Sequence, residues 1–180
     1  STREIYTKGQ HTIPSDTVCY PAKLMHGHIE LLLEKDVHTI FYPCMTYNFN
    51  ELSGDNHYNC PVVAYYPELL KANISALEDV EFLYPYFSLS NQKQFTKRVA
   101  SYFNKVFSIP EKVTRAAVGK AYKEYYRYLD DVREYGRKAI QFVQEQGNTI
   151  IVLAGRPYHI DQEINHGIDQ LINSLGLVVI

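Results

Sequence analysis

The sequence has no tryptophan, two methionines and only three cysteines in 180 residues. Three thiols, an odd number at wide spacing, argue against a disulfide framework and fit a reducing compartment. A charge excess is missing as well. The formal net charge is −2 and no basic run exceeds two residues, so neither a nucleic-acid backbone nor an anionic membrane surface is the expected partner. No apolar stretch approaches the roughly 20 residues that span a bilayer, and no signal-peptide pattern opens the chain, which points to a cytoplasmic protein. What is present is length enough for one well-buried domain, alone or with a helical appendage, and sixteen tyrosines that assign no chemistry by themselves.

Each cysteine touches a proline or lies one residue from one: Cys19-Tyr20-Pro21, Pro43-Cys44 and Cys60-Pro61. Proline fixes φ and removes a backbone donor, so these are stiff turns at the ends of elements. Free cysteine is among the most buried residue types, and on count alone packing is the commoner role. Placement in proline-bordered loops favours instead one cluster built in space. Paired cysteines two to four apart, the usual zinc signature, are absent, and structural zinc would need a histidine to complete its shell. Three thiolates leave a fourth position open, as an iron–sulfur cluster with a unique iron requires.

In chain order, Ser15 or Asp16 can cap a helix that follows Pro21 and buries Leu24, Ile29 and Leu31 to Leu33. Val37 to Tyr42 reads as a buried strand delivering Cys44 at its carboxyl end, 45–59 as a polar loop, and Cys60 to Tyr66 as a second strand, with a short helix starting at Pro67. A third strand over Glu81 to Phe87 is weakened by Pro85. Helices are expected over Asn91 to Phe107 and Pro110 to Gln146. The latter is roughly 55 Å long if unbroken, so a bend near Gly119 or Gly136 is expected, and its tyrosine-bearing stripe must pack on the sheet or on a partner chain. Thr149 to Gly155 is the clearest strand. With a helix from about Gln162 to Ser174, capped by Asp161, and a strand from Leu177 it makes a β-α-β unit. The fold class is therefore α/β, Rossmann-like, a mainly parallel sheet flanked by helices. A cysteine-bearing α/β segment over 1–90 and a closing β-α-β segment over 148–180 are separated by a helical insertion over 91–147. No methionine opens the chain and the apolar run LGLVVI closes it, so an excerpt of a larger protein, cut within a domain, is expected.

Polar candidates accompany the cysteines. Ser15 and His159 are the candidate catalytic residues, although Ser15 and Asp16 are more often caps. Arg156, just beyond a strand at the carboxyl edge of the sheet, is the candidate for holding phosphate or carboxylate through its planar fork. His11, His26, His28, His57 and His166 are each more often surface or capping residues than ligands. His26 and His28, two apart, cannot share one helix face.

Four stretches, HTIPSDTVCYPAKLMHGHI, IFYPCM, YNCPVVAYYPE and LAGRPYHIDQEINHGI, together resemble the CoA-substrate-specific enzyme activase-related proteins, in which an ATP-dependent activator is fused to parts similar to 2-hydroxyacyl-CoA dehydratase subunits. The resemblance implies a single [4Fe–4S] cluster on Cys19, Cys44 and Cys60. It further implies low-potential electron transfer to a CoA thioester, with ATP hydrolysed by an activator ATPase domain of the same parent protein. The chain has no P-loop or actin-like phosphate motif, so ATP enters only through other domains, and the fragment alone is expected to be inactive. A homo-oligomer is among the expected states. The alternative, from a different class, is a non-catalytic Rossmann-like module without a cluster that binds a small molecule or a subunit.

Overall fold

The computed structural model describes residues 1–50 and 54–180; the portion of the expected loop on residues 51–53 lies outside the described residues. The chain divides into two compact units, Thr2–Arg115 and, with Ser1, Ala116–Ile180.

In the first unit, α1 (Arg3–Gly9) starts at Thr2, whose hydroxyl accepts from the Ile5 N–H at 3.3 Å. It packs directly on α2 (Tyr20–Glu34). A Cβ on Gly27 would lie 1.7 Å from the Ile5 carbonyl oxygen, and one on Gly9 would lie 2.1 Å from the Gly27 amide nitrogen. Only glycine allows two backbones this close. The cap of α2 corrects the sequence reading. It is Cys19, because Ser15 is occupied in a turn, where its hydroxyl accepts from the Thr17 N–H at 3.3 Å.

Strands β1 (Thr39–Phe41) and β2 (Cys44–Tyr47) pair in parallel with β3 (Glu81–Leu83) and β4 (Tyr86–Ser88) respectively. Thr39 meets Glu81 and Cys44 meets Tyr86 at one common offset of 42 residues. The ladder continues through Tyr42 N–H to Leu83 O (2.8 Å) and Cys44 N–H to Pro85 O (2.9 Å). One parallel ribbon is thus split into two short sheets where Pro43 and Pro85 have no N–H to give. The expected weakening at Pro85 is this break. Met45 to Tyr47, read from sequence as loop, belongs to strand β2.

The largest correction is Cys60 to Tyr66. It is not a strand but the beginning of α3 (Pro61–Asn73), with Pro67 inside the helix. Val62, Val63, Tyr65 and Tyr66 have strand propensity, but a short apolar run does not by itself reveal its period. Proline in the first turn suits a helix start, and Ala64, Tyr66, Pro67 and Leu70 all bury. The core forms where Ala22 and Ile29 of α2 meet Ile40 of β1, Tyr66 and Leu70 of α3, and Phe82 of β3. Burying each such aliphatic side chain contributes roughly 1.5–3 kcal/mol.

Helix α4 (Gln92–Phe107) is capped by Asn91, whose Oδ1 accepts from the Gln94 N–H at 3.0 Å. It lays Phe95 and Tyr102 against Phe87, with ring centroids 5.7 and 5.9 Å apart. Helix α5 (Glu111–Gln146) spans the boundary between the units and runs without interruption through Gly119 and Gly136.

In the second unit β5 (Ile150–Ile151) pairs in parallel with β6 (Val178–Val179), as the β-α-β pattern requires. The strand is shorter than the sequence run, although Leu153 N–H still donates to Ile180 O at 2.8 Å. The intervening helix is two pieces, α6 (Gln162–Asn165) and α7 (Ile168–Ser174), parted by His166 and Gly167 in left-handed conformation. The architecture is α/β, mostly helix, and the described strands form three two-stranded parallel sheets. Among the described residues no helix is long and apolar enough to cross a membrane.

Candidate functional site

Cys19 and Cys60 occupy equivalent places. Each is exposed, and each is the N-cap of a helix, α2 or α3, with proline in the first turn and no side-chain cap bond. The free N–H groups of a first helical turn favour negative charge beside them. Cys60 is carried to β2 by the returning chain. The Asn59 N–H donates to Thr46 O at 3.2 Å, and the Asn59 side-chain amide donates to Met45 O at 2.7 Å. Tyr58 bridges Tyr47 in antiparallel fashion. Residues 57–59 thus run antiparallel beside 46–48.

Cys44 differs. It is fully buried at the start of β2, beside Tyr86 of β4, whose hydroxyl donates to Glu68 of α3 in a very short hydrogen bond. Burial pushes the Cys44 thiol upward, and the nearby Glu68 charge adds to this against a hydrogen bond with Tyr86. The hydrogen bond to Glu68 holds the Tyr86 hydroxyl protonated, well above its ordinary range. A metal ligand must be a thiolate, and burial makes that form costlier at Cys44 than at the two exposed cysteines. Among the described residues no group of three or more His, Cys, Asp or Glu could hold a metal ion. The three cysteines lie on adjoining elements, at the starts of α2, β2 and α3.

Between Cys19 and Cys44 lies a polar seam that the sequence did not reveal. The Tyr66 hydroxyl is buried without a hydrogen-bond partner among the described residues. Burial first, then the charges of Cys19 and Tyr42, push its ionisation far upward. Tyr42 is raised by burial and by Cys44. The Tyr66 ring stands edge-on to His26, centroids 5.6 Å apart. His26 is fully buried, with Nδ1 2.8 Å from the Thr12 hydroxyl, which itself donates to Gly9 O at 3.0 Å. A hydroxyl has one proton. With that proton on Gly9 O, Thr12 accepts from His26 Nδ1–H, and the neutral ring keeps a bare lone pair on Nε2, which has no hydrogen-bond partner among the described residues. Burial, reinforced by the His11 charge, lowers this histidine to about 4. His28 is only half-buried, as spacing two apart requires. Tyr66 escaped sequence reading because Cys60 to Tyr66 was given a strand period; on a helical wheel the face carrying Ala64 and Leu70 would have been visible.

The other candidates fall in separate places. Ser15 is an exposed turn residue of the first unit, its hydroxyl 2.8 Å from that of Thr17. His57 packs its ring on Tyr47 at 6.0 Å. Arg156 and His159 belong to the second unit, in the turn that follows β5. The Arg156 N–H donates to His159 Nδ1 at 3.0 Å, and the His159 N–H to Arg156 O at 2.9 Å. A Cβ on Gly155 would lie 2.4 Å from His159 Nδ1, so a larger residue there would displace the His159 ring. Both residues line a cavity of about 590 Å³. Asp161, expected as a cap, accepts from the Glu163 and Ile164 N–H groups at 3.0 and 3.3 Å.

Compared with known families, the whole chain, residues 1–180, matches the family model described as CoA enzyme activase uncharacterised domain (DUF2229). No curated protein and no solved structure matches it.

Proposed function

We propose, from the premise that the chain belongs to the CoA enzyme activase uncharacterised domain family, that residues 1–180 serve an activase-type protein as its cysteine-bearing domain. Membership gives the chain an activase-related role, exercised in general terms on partner enzymes. The finer reading is a cytoplasmic, Rossmann-like domain whose Cys19, Cys44 and Cys60 hold a [4Fe–4S] cluster. Such a cluster supplies low-potential electron transfer to a CoA thioester, while an activator ATPase domain of the same parent protein hydrolyses ATP. The observation that carries this reading is the matched placement of Cys19 and Cys60, two exposed thiols at helix N-caps, with Asn59 tying the second to the strand that Cys44 begins.

The test is anaerobic reconstitution with iron and sulfide of the wild type and of Cys44→Ser, counting iron and recording EPR after reduction. About four iron atoms and a reducible signal, lost in the variant, are expected for a cubane cluster. Folded protein that takes up no iron, both as this chain and within the parent protein, sinks the reading. The burial of Cys44 favours a second reading, a ligand- or subunit-binding module without a cluster, in which Cys44→Ser changes packing alone.

A further inference from the structure

The turn after β5 and the break between α6 and α7 enclose the cavity of about 590 Å³, a volume within the range of natural small-molecule sites. It opens beyond the carboxyl ends of two parallel strands, where α/β folds place ligands. Its walls are aliphatic, with Leu153, Ile164, Ile168 and Val179 among them, and no Phe or Tyr ring lines it.

Three polar groups matter. Arg156 has no carboxylate partner among the described residues. His159 accepts the Arg156 N–H on Nδ1, so the neutral ring carries its proton on Nε2 and is a donor there. Asp169 lines the same cavity and adds a negative charge to its wall. Fixed positive and negative groups around an aliphatic pocket suit a ligand with both charges. A phosphate ester would satisfy Arg156 but set a second negative charge against Asp169.

We propose that this cavity is a binding site for an aliphatic α-amino acid. Its carboxylate pairs with Arg156 and the His159 Nε2–H, its ammonium pairs with the Asp169 carboxylate, and its side chain lies among Leu153, Ile164, Ile168 and Val179. The site belongs to the unit 116–180 and needs no cluster, so it stands or falls apart from the cysteine reading.

The experiment is a titration of the ¹⁵N-labelled 180-residue chain with L-leucine, following the amide signals of Gly155, Ile164 and Asp169. Two single-headed analogues go beside it: 4-methylpentanoate, which lacks the ammonium, and 3-methylbutylamine, which lacks the carboxylate. Saturable shifts are expected with leucine, with affinity at least about tenfold better than for either analogue. Arg156→Gln and Asp169→Asn should each weaken leucine by a similar factor, and Asp169→Asn should erase the preference over 4-methylpentanoate. Absence of saturable shifts with leucine, equal binding of the analogues by the wild type, or tighter binding of inorganic phosphate at the same amides overturns the proposal. Because the analogue comparison uses wild-type protein, it holds even if a variant does not fold.

Discussion

His26 makes the acid stability of this protein predictable. Burial lowers its folded-state value to about 4 from an ordinary 6.5, so above pH 6.5 the ring is neutral whether the chain is folded or not. Between those two values the unfolded chain binds a proton that the folded chain refuses, and stability falls as pH falls. The gap is equivalent to about 3 kcal/mol at about 1.4 kcal/mol per pH unit, of which about 2 kcal/mol is lost between pH 7.5 and pH 5. Below pH 4 both states are protonated and the contribution levels off. The perturbation is His26→Asn, whose side-chain N–H can still reach the Thr12 hydroxyl but does not titrate. Urea unfolding of wild type and variant at pH 7.5 and 5.0 measures the effect. The wild type should lose about 2 kcal/mol more than the variant over this interval, and the His26 Cε1 proton should not titrate by NMR above pH 5 in the folded protein. A His26 signal titrating near 6.5, or the same pH dependence in the variant, would refute the burial argument.

Other outcomes follow from the same geometry. Exposed Cys19 and Cys60 should react with a water-soluble thiol reagent while the protein is folded, and buried Cys44 only after denaturation; rapid labelling of all three thiols would contradict the burial of Cys44. Gly27→Ala must push α1 off α2, because the new methyl would meet the Ile5 carbonyl oxygen. It should destabilise by about 1–3 kcal/mol or more, whereas Gly119→Ala, with open space around it, should be neutral or stabilise an exposed helix by up to about 1 kcal/mol. Thermal unfolding of the two variants separates these cases, and an unchanged Gly27→Ala midpoint would rule out the close crossing.

Much of the local structure was legible because local chemistry decides it. Asn91 before a 3.6-residue apolar rhythm marked α4, Pro85 marked a broken strand, and Asp161 marked the start of α6. The elements misread from sequence are those where two readings share one composition. Cys60 to Tyr66 has the β-branched and aromatic content of a strand, and only tertiary packing, with Tyr66 and Leu70 buried against α2 and β1, makes it a helix. Cys44 was placed just beyond a strand. The ladder resumes after Pro43 because Pro85 breaks the partner at the facing position.

For the candidate site, sequence determined which residues carry sulfur, how stiffly proline holds them, and, through four motifs, the activase family. It could not say that two of those cysteines stand exposed at helix N-caps while the third is buried beside Tyr86. It also could not say that His26 and Tyr66 meet in the core, or that Asp169 shares a cavity with Arg156. Residue type and spacing act along the chain. Burial, and the ionisation that burial controls, depend on which distant segments pack together, and only the tertiary structure decided that.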